Sequence, residues 1–123
     1  MGIVHHANYF TYFEAGRVDF LHKRGIAYQA WVLEGVHLPV VSASIKYRKA
    51  ARFDEVLVVR TACAQITRVT VRFTYLITRG ADLLAEGETL LACVSDRLEP
   101  KRLPPDIADV FRSPELPDAK GTI

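Results

Sequence analysis

The side chains able to do chemistry gather in three places. Two histidines, His5 and His6, stand side by side just ahead of the first stretch with helical periodicity. Along that stretch acids precede bases, with Glu14 three residues before Arg17 and Asp19 four before Lys23. Lys46, Arg48, Lys49 and Arg52 crowd the end of a strand-like segment, and Arg68 stands in a later connection. Each group has two readings. A histidine pair at a helix start can be a surface or capping pair. Equally, a loop feeding a helix N-terminus offers free backbone N–H groups and the positive end of the dipole, which polarise a carbonyl and hold the oxyanion formed on attack. There His6 would add a side-chain donor or a proton relay. The Glu14–Arg17 and Asp19–Lys23 spacings are those of ordinary helix ion pairs, worth ~0.2–0.5 kcal/mol. A Glu14 facing a ligand cavity would instead be an acid or base. The basic cluster suits a solvated strand edge or a small phosphate-bearing ligand, since guanidinium forks bind phosphate well.

Other chemistries find less support. The four histidines fall at no known ligand spacing, so neither a metal nor another cofactor is expected. There is no G-x-S-x-G nucleophile elbow and no glycine-rich phosphate loop. Cys63 and Cys93 lie inside apolar segments and read as strand-core thiols rather than a disulfide. A formal net charge of +2 demands no polyanion, and nucleic-acid binding would want more charge or aromatics interleaved with the basics. No apolar run approaches the ~20 residues of a membrane span, and no signal peptide opens the chain. The expected compartment is the cytoplasm.

The elements that must position these groups follow from periodicity. From Asn8 to Arg24 the residues Tyr9, Phe10, Tyr12, Phe13, Phe20 and Leu21 recur at helical steps, with Asn8 as the expected N-cap and Gly25 as the stop. Gly16 in the middle costs ~1 kcal/mol relative to Ala; close approach of the helix to a sheet would explain it. A shorter helix is expected from Ala27 to Glu34, ending at Gly35. Beyond Leu38 the period becomes two. Val41, Ala43, Ile45 and Tyr47 alternate with polar residues as a half-buried strand, a second strand covers Glu55 to Thr67, and a third carries Val71, Phe73, Tyr75 and Ile77 inward. The Arg79-Gly80-Ala81-Asp82 run reads as a hairpin loop before a fourth strand over Leu83 to Ser95. With 123 residues the chain suits a single α+β domain, a long helix packed on an antiparallel sheet. That domain is expected over residues 1–107, with 108–123 a proline-bearing, partly disordered tail.

The string Gly2-Ile3-Val4-His5-His6-Ala7-Asn8-Tyr9-Phe10, followed by Tyr12-Phe13-Glu14 and Gly16-Arg17, resembles the leading loop and central helix of a known family. These are the hotdog-fold acyl-CoA thioesterases of the 4-hydroxybenzoyl-CoA thioesterase and YbgC type, with the pattern D-x-x-G-hydrophobic-V-x-H-x-x-Y and then Y-F/L-E-x-A-R. Further along, Ile45-Lys46-Tyr47 and Ala51-Arg52-Phe53-Asp54-Glu55 are similar to the family's Y-x-x-P-A-x-x-D-E turn, with Ala50 where the proline usually stands. Pro100-Lys101-Arg102-Leu103-Pro104 is similar to its closing K/R-x-hydrophobic-P. The likeness runs from Gly2 to Ile107.

The resemblance implies a hotdog fold, a central helix wrapped by antiparallel strands. It implies hydrolysis of an acyl-CoA, or an acyl-carrier-protein thioester, to a free acid and a thiol. It further implies a homodimer or homotetramer with the active site between subunits. By position, the backbone N–H at His6 would polarise the thioester carbonyl, and the His6 side chain matches the family's histidine. Val4, His5, Tyr9 and Glu14 would line the substrate pocket, and Arg48, Lys49, Arg52 and Arg68 would meet the CoA phosphates. The family's catalytic aspartate falls three residues before the glycine matching Gly2, ahead of Met1, together with the first strand. The expectation is therefore a true start upstream of the recorded one. Alternatives are a catalytically silent module that binds acyl-CoA or an acyl carrier protein, and a hydratase acting on an enoyl-CoA.

Overall fold

A computed structural model of the chain describes residues 6–49 and 56–114, the first three as backbone alone. In chain order come α1 (His6–His22), α2 (Tyr28–Leu33), β1 (Val40–Tyr47), β2 (Val58–Ile66), β3 (Thr70–Arg79), β4 (Asp82–Ala92) and α3 (Pro105–Arg112). The strands form one antiparallel sheet in the order β1-β4-β3-β2. β3 and β4 are joined at Gly80 and Ala81, where the hairpin was expected, and Gly80 takes a φ of 58°.

α1 lies across one face of this sheet. Val71, Phe73, Tyr75 and Ile77 point at it from β3, each at most 2% exposed, and Thr89, Leu91 and Ala85 join them from β4. The Phe13 ring stacks on Tyr75 with centroids 4.3 Å apart, and Phe20 meets Phe73 edge-on at 5.2 Å. Gly16 is where the helix backbone comes down onto β2. A Cβ there would overlap the Thr61 Oγ1 hydroxyl and press the Val59 side chain. The lost helix propensity therefore secures a closer helix–sheet contact.

Both helix stops foreseen in the sequence are present. After α1, Gly25 takes a φ of 78°, its N–H reaches the His22 carbonyl at 2.9 Å, and Ile26 N–H reaches the Leu21 carbonyl at 3.0 Å. This is a Schellman cap, whose left-handed residue has to be glycine or to carry strain. Gly35 closes α2 in the same manner.

Four expectations need correction. α1 begins at His6, so Asn8 is inside the helix and not its N-cap. β1 is exposed along almost its whole length and not half-buried, because among the described residues it is an edge strand bonded to β4 on one side only. The second strand is shorter than expected, starting at Val58. Finally, the stretch after Pro104 is a helix. α3 starts with Pro105 in its first turn, where the missing N–H costs nothing, and buries Ile107, Ala108 and Phe111 in the main core. The expected domain edge at Ile107 thus falls inside α3, while 115–123 lie outside the described residues.

Candidate active site

α1 starts at His6, so the N–H groups of its first turn have no acceptor within the helix. That start sits at a definite end of the sheet. Tyr9 is 2% exposed, with its ring meeting Tyr47 at 5.3 Å and Tyr12 at 6.0 Å, so the first turn rests on the last residue of β1. Tyr47 pairs with Ala85 and Ile77 with Ala85 in turn, which puts the start of α1 near the β3–β4 hairpin. Val4, His5, Arg52 and the side chain of His6 fall outside the described residues.

A groove runs along α1 from this region toward its C-terminus, between the helix and the open side of β1. It has two overlapping parts of about 340 and 260 Å³, which share Glu14, Arg17 and Val40. The first also holds Phe10, Ala43 and Thr89. The second is an apolar end made by Leu21, Tyr28, Leu38, Phe73, Leu91 and Phe111. Glu14 is exposed and faces this groove. Arg17 does not form the expected ion pair with it. Its Nη1 turns inward and donates to the Tyr75 hydroxyl at 3.0 Å, and that hydroxyl lies 2.6 Å from Thr89 Oγ1. The Asp19–Lys23 pair forms as expected, at 3.1 Å.

The basic residues divide. Arg48 makes a two-pronged contact with Glu86, at 3.0 Å from Nε and 2.6 Å from Nη2. Lys49 donates to Asp82 at 2.9 Å, and Arg79 reaches the other oxygen of the same carboxylate at 3.3 Å. The Lys49 ammonium, then the Arg79 guanidinium, hold the Asp82 carboxyl below the usual aspartate range. Arg68 is exposed in the β2–β3 turn, at the other end of β3. The ten residues of β3 span ~30 Å at strand rise, so Arg68 and the Arg48–Lys49 pair do not share a phosphate site within one chain.

Cys93 is 1% exposed and Cys63 half-buried; both are free, and burial pushes both thiols up. Among the described residues no three His, Cys, Asp or Glu side chains are grouped to hold a metal ion. No helix among them is long and apolar enough to cross a membrane.

The sequence reading missed Thr89 as a polar member of the groove and Tyr75 as the buried partner of Arg17 behind it. Tyr75 had been assigned to the core by its inward position, correctly, but its hydroxyl meets Arg17 only across the helix–sheet interface. No local spacing encodes that contact.

Comparison with known proteins gives a consistent result. The family model described as the thioesterase superfamily matches residues 1–86. The acyl-CoA thioester hydrolase YbgC of Escherichia coli is 30% identical over 113 residues, 90% of this chain and 84% of that one. A Thermus thermophilus protein of known structure superposes with a TM-score of 0.85 at 40% identity, covering 91% of this chain and 86% of the other. The DHNA-CoA thioesterase of Staphylococcus aureus does so with the same score at 30% identity, over 91% and 78%.

Proposed function

Since the chain belongs to the thioesterase superfamily and has its hotdog fold, we propose that it hydrolyses an acyl-CoA thioester to a free acid and CoA. An acyl-carrier-protein thioester is the alternative form of the same substrate. The observation that carries the mechanism is the start of α1 at His6. Its first-turn N–H groups donate hydrogen bonds to the thioester carbonyl oxygen. Water attacks the carbonyl carbon, the negative charge gathers on that oxygen beside the positive end of the helix, and collapse expels the CoA thiolate. His6 supplies a further donor or relays the proton lost by the attacking water to the departing thiolate, so that free acid and CoA thiol are the products. Val4, His5 and Tyr9 shape the mouth of the pocket, and the acyl group extends into the groove past Glu14.

The apolar end of the groove and the start of α1 face opposite ends of β1, one at Val40 and the other at Tyr47. Antiparallel pairing of β1 with β1 of a second copy would bring the apolar end of one copy's groove toward the helix start of the other. The edge supports this, because among the described residues β1 pairs with β4 alone, and Val40 and Val41 are 41% and 56% exposed along it. The working unit on this reading is a homodimer, alone or within a tetramer. Of the cations expected at the CoA phosphates, Arg68 is exposed and pairs with no carboxylate among the described residues; Arg48 and Lys49 would first have to leave Glu86 and Asp82, and Arg52 lies outside the described residues. Two free, buried-shifted thiols suit the reducing cytoplasm.

The test is release of free thiol from a panel of acyl-CoAs by the chain as given. Turnover that falls about 10²–10⁴-fold in His6→Ala, with KM little changed, is the expected result. Binding of acyl-CoA with no thiol release would replace the enzyme with the silent module, and water addition to an enoyl-CoA would point to the hydratase.

A further inference from the structure

An oxyanion site made from a helix start works only if that start is held still. α1 meets the sheet at successive levels. Phe20 packs on Phe73, and Phe13 lies on Tyr75 directly over Gly87, where a Cβ would overlap the ring. Both contacts are about two turns or more beyond His6. The first turn has a support of its own. Tyr9 is 2% exposed, and its ring meets Tyr47 edge-on with centroids 5.3 Å apart. Tyr47 ends β1 and is itself 40% exposed, yet the chain there is tied down. It pairs with Ala85 of β4, and the N–H groups of Arg48 and Lys49 both reach the Leu84 carbonyl, at 2.7 and 3.2 Å. Leu84 and Ala85 are fully buried. The Arg48 side chain grips Glu86 with two N–H groups, and Lys49 grips Asp82. Tyr47, Arg48 and Lys49 are thus all fixed to β4, and the ring that Tyr9 leans on belongs to the first of them.

We propose that Tyr47 is a positioning residue for thioester hydrolysis: through Tyr9, its ring holds the first turn of α1 where the N–H groups of that turn meet the carbonyl oxygen. The inference rests on the thioesterase reading above. Arg48 and Lys49, expected at the CoA phosphates, then have a different part, because their ties to Leu84, Glu86 and Asp82 keep Tyr47 in place. Oxyanion donors act over about 2.7–3.1 Å, and a misplacement of ~1 Å costs up to ~10²-fold in rate. A half-exposed ring at the end of an edge strand is a small part of the core, so its removal loosens the turn and leaves the fold standing.

Tyr47→Ser removes the ring and Tyr47→Phe keeps it. With an acyl-CoA that the wild-type chain hydrolyses, Tyr47→Ser is expected to lower kcat about 10–10²-fold with KM within about twofold, while Tyr47→Phe stays near wild type. Amide hydrogen exchange reads the same turn without catalysis. The N–H groups of Phe10 and Thr11 bond back to the first residues of α1. Their exchange should quicken about tenfold in Tyr47→Ser, while that of Phe20 and Leu21 at the far end of the helix keeps its wild-type rate. Unchanged exchange at Phe10 and Thr11 overturns the proposal, and so does faster exchange with kcat unchanged. A Tyr47→Phe protein as slow as Tyr47→Ser also overturns it, since the hydroxyl and not the ring would then be acting. Exchange that rises equally at Phe20 and Leu21 does the same, because the whole helix would have loosened. If the wild-type chain hydrolyses no acyl-CoA, the thioesterase reading fails by itself, and the exchange rates still decide whether Tyr47 holds the turn. Should Tyr47→Ser fail to fold, Tyr47→Val, with a side chain suited to a strand, carries the comparison.

Discussion

At the scale of single residues, charge pairing decides what each cation is free to do. Asp82 shows this most clearly, since one carboxylate takes Lys49 and Arg79 together and clamps the end of β1 to the β3–β4 hairpin. Its pKa is lower in the folded chain than the ordinary value of 3.8. The unfolded carboxylate thus binds its proton first as pH falls, so the clamp stabilises the fold fully above the ordinary value and is lost as pH drops through the folded one. Asp82→Asn is expected to lower Tm slightly at pH 6. The gap from wild type should close as melting curves are taken down toward pH 2. A gap constant across that range would mean that the clamp contributes nothing. The same pairing explains why the cluster Arg48, Lys49, Arg52, which the sequence marks as a phosphate candidate, was only partly readable. The acids that engage Arg48 and Lys49 lie on a distant strand.

At the scale of elements, the contact of α1 with β2 turns on two small groups. Gly16 leaves room for Thr61, whose Oγ1 is buried without a hydrogen-bond partner among the described residues. Gly16→Ala should gain ~1 kcal/mol of helix propensity but lose ~1–3 kcal/mol to overpacking against Thr61 and Val59, for a net loss in urea unfolding. Combining it with Thr61→Ala removes the overlapping hydroxyl, and most of the loss should disappear. Additive effects of the two changes would show that the contact is not the cause. The role of Gly16 was legible because a glycine in an aromatic-rich helix already called for a close neighbour. α3 was not, although Ile107, Val110 and Phe111 have helical spacing. The five prolines around it drew attention to chain breaking, while Pro105 in fact opens the helix. What stabilises so short a segment is the packing of Phe111 on Phe20, Trp31 and Phe73 from three other elements.

At the scale of the whole molecule, the unsatisfied feature is the open edge of β1. A strand with Val40 and Val41 exposed on an edge that no other described strand pairs is a pairing surface unless charge or proline blocks it. If β1 pairs with β1 in the homodimer proposed above, Val41→Asp is expected to shift that dimer to monomer in analytical ultracentrifugation. Thioester hydrolysis should drop with it, because the helix start of one copy would no longer meet the apolar end of the other copy's groove. A monomeric Val41→Asp protein that retains full turnover would show instead that each chain carries a complete site.

The sequence alone determined the order of the helices and strands up to the fourth strand, the inward residues of β3, the hairpin at Gly80 and the two glycine stops. Each of these is written in spacing of two, three or four residues, or in one residue's backbone freedom. The leading motif around His6 likewise identified the family. Only the tertiary structure decided that β1 is a bare edge, that Arg48 and Lys49 are already paired, that Arg68 stands ~30 Å away along β3, and that Arg17 is fixed through Tyr75 to Thr89. Those facts depend on contacts between residues far apart in the chain. Local periodicity says which way a side chain points, but the identity of what it meets is settled only when helix and sheet close on each other.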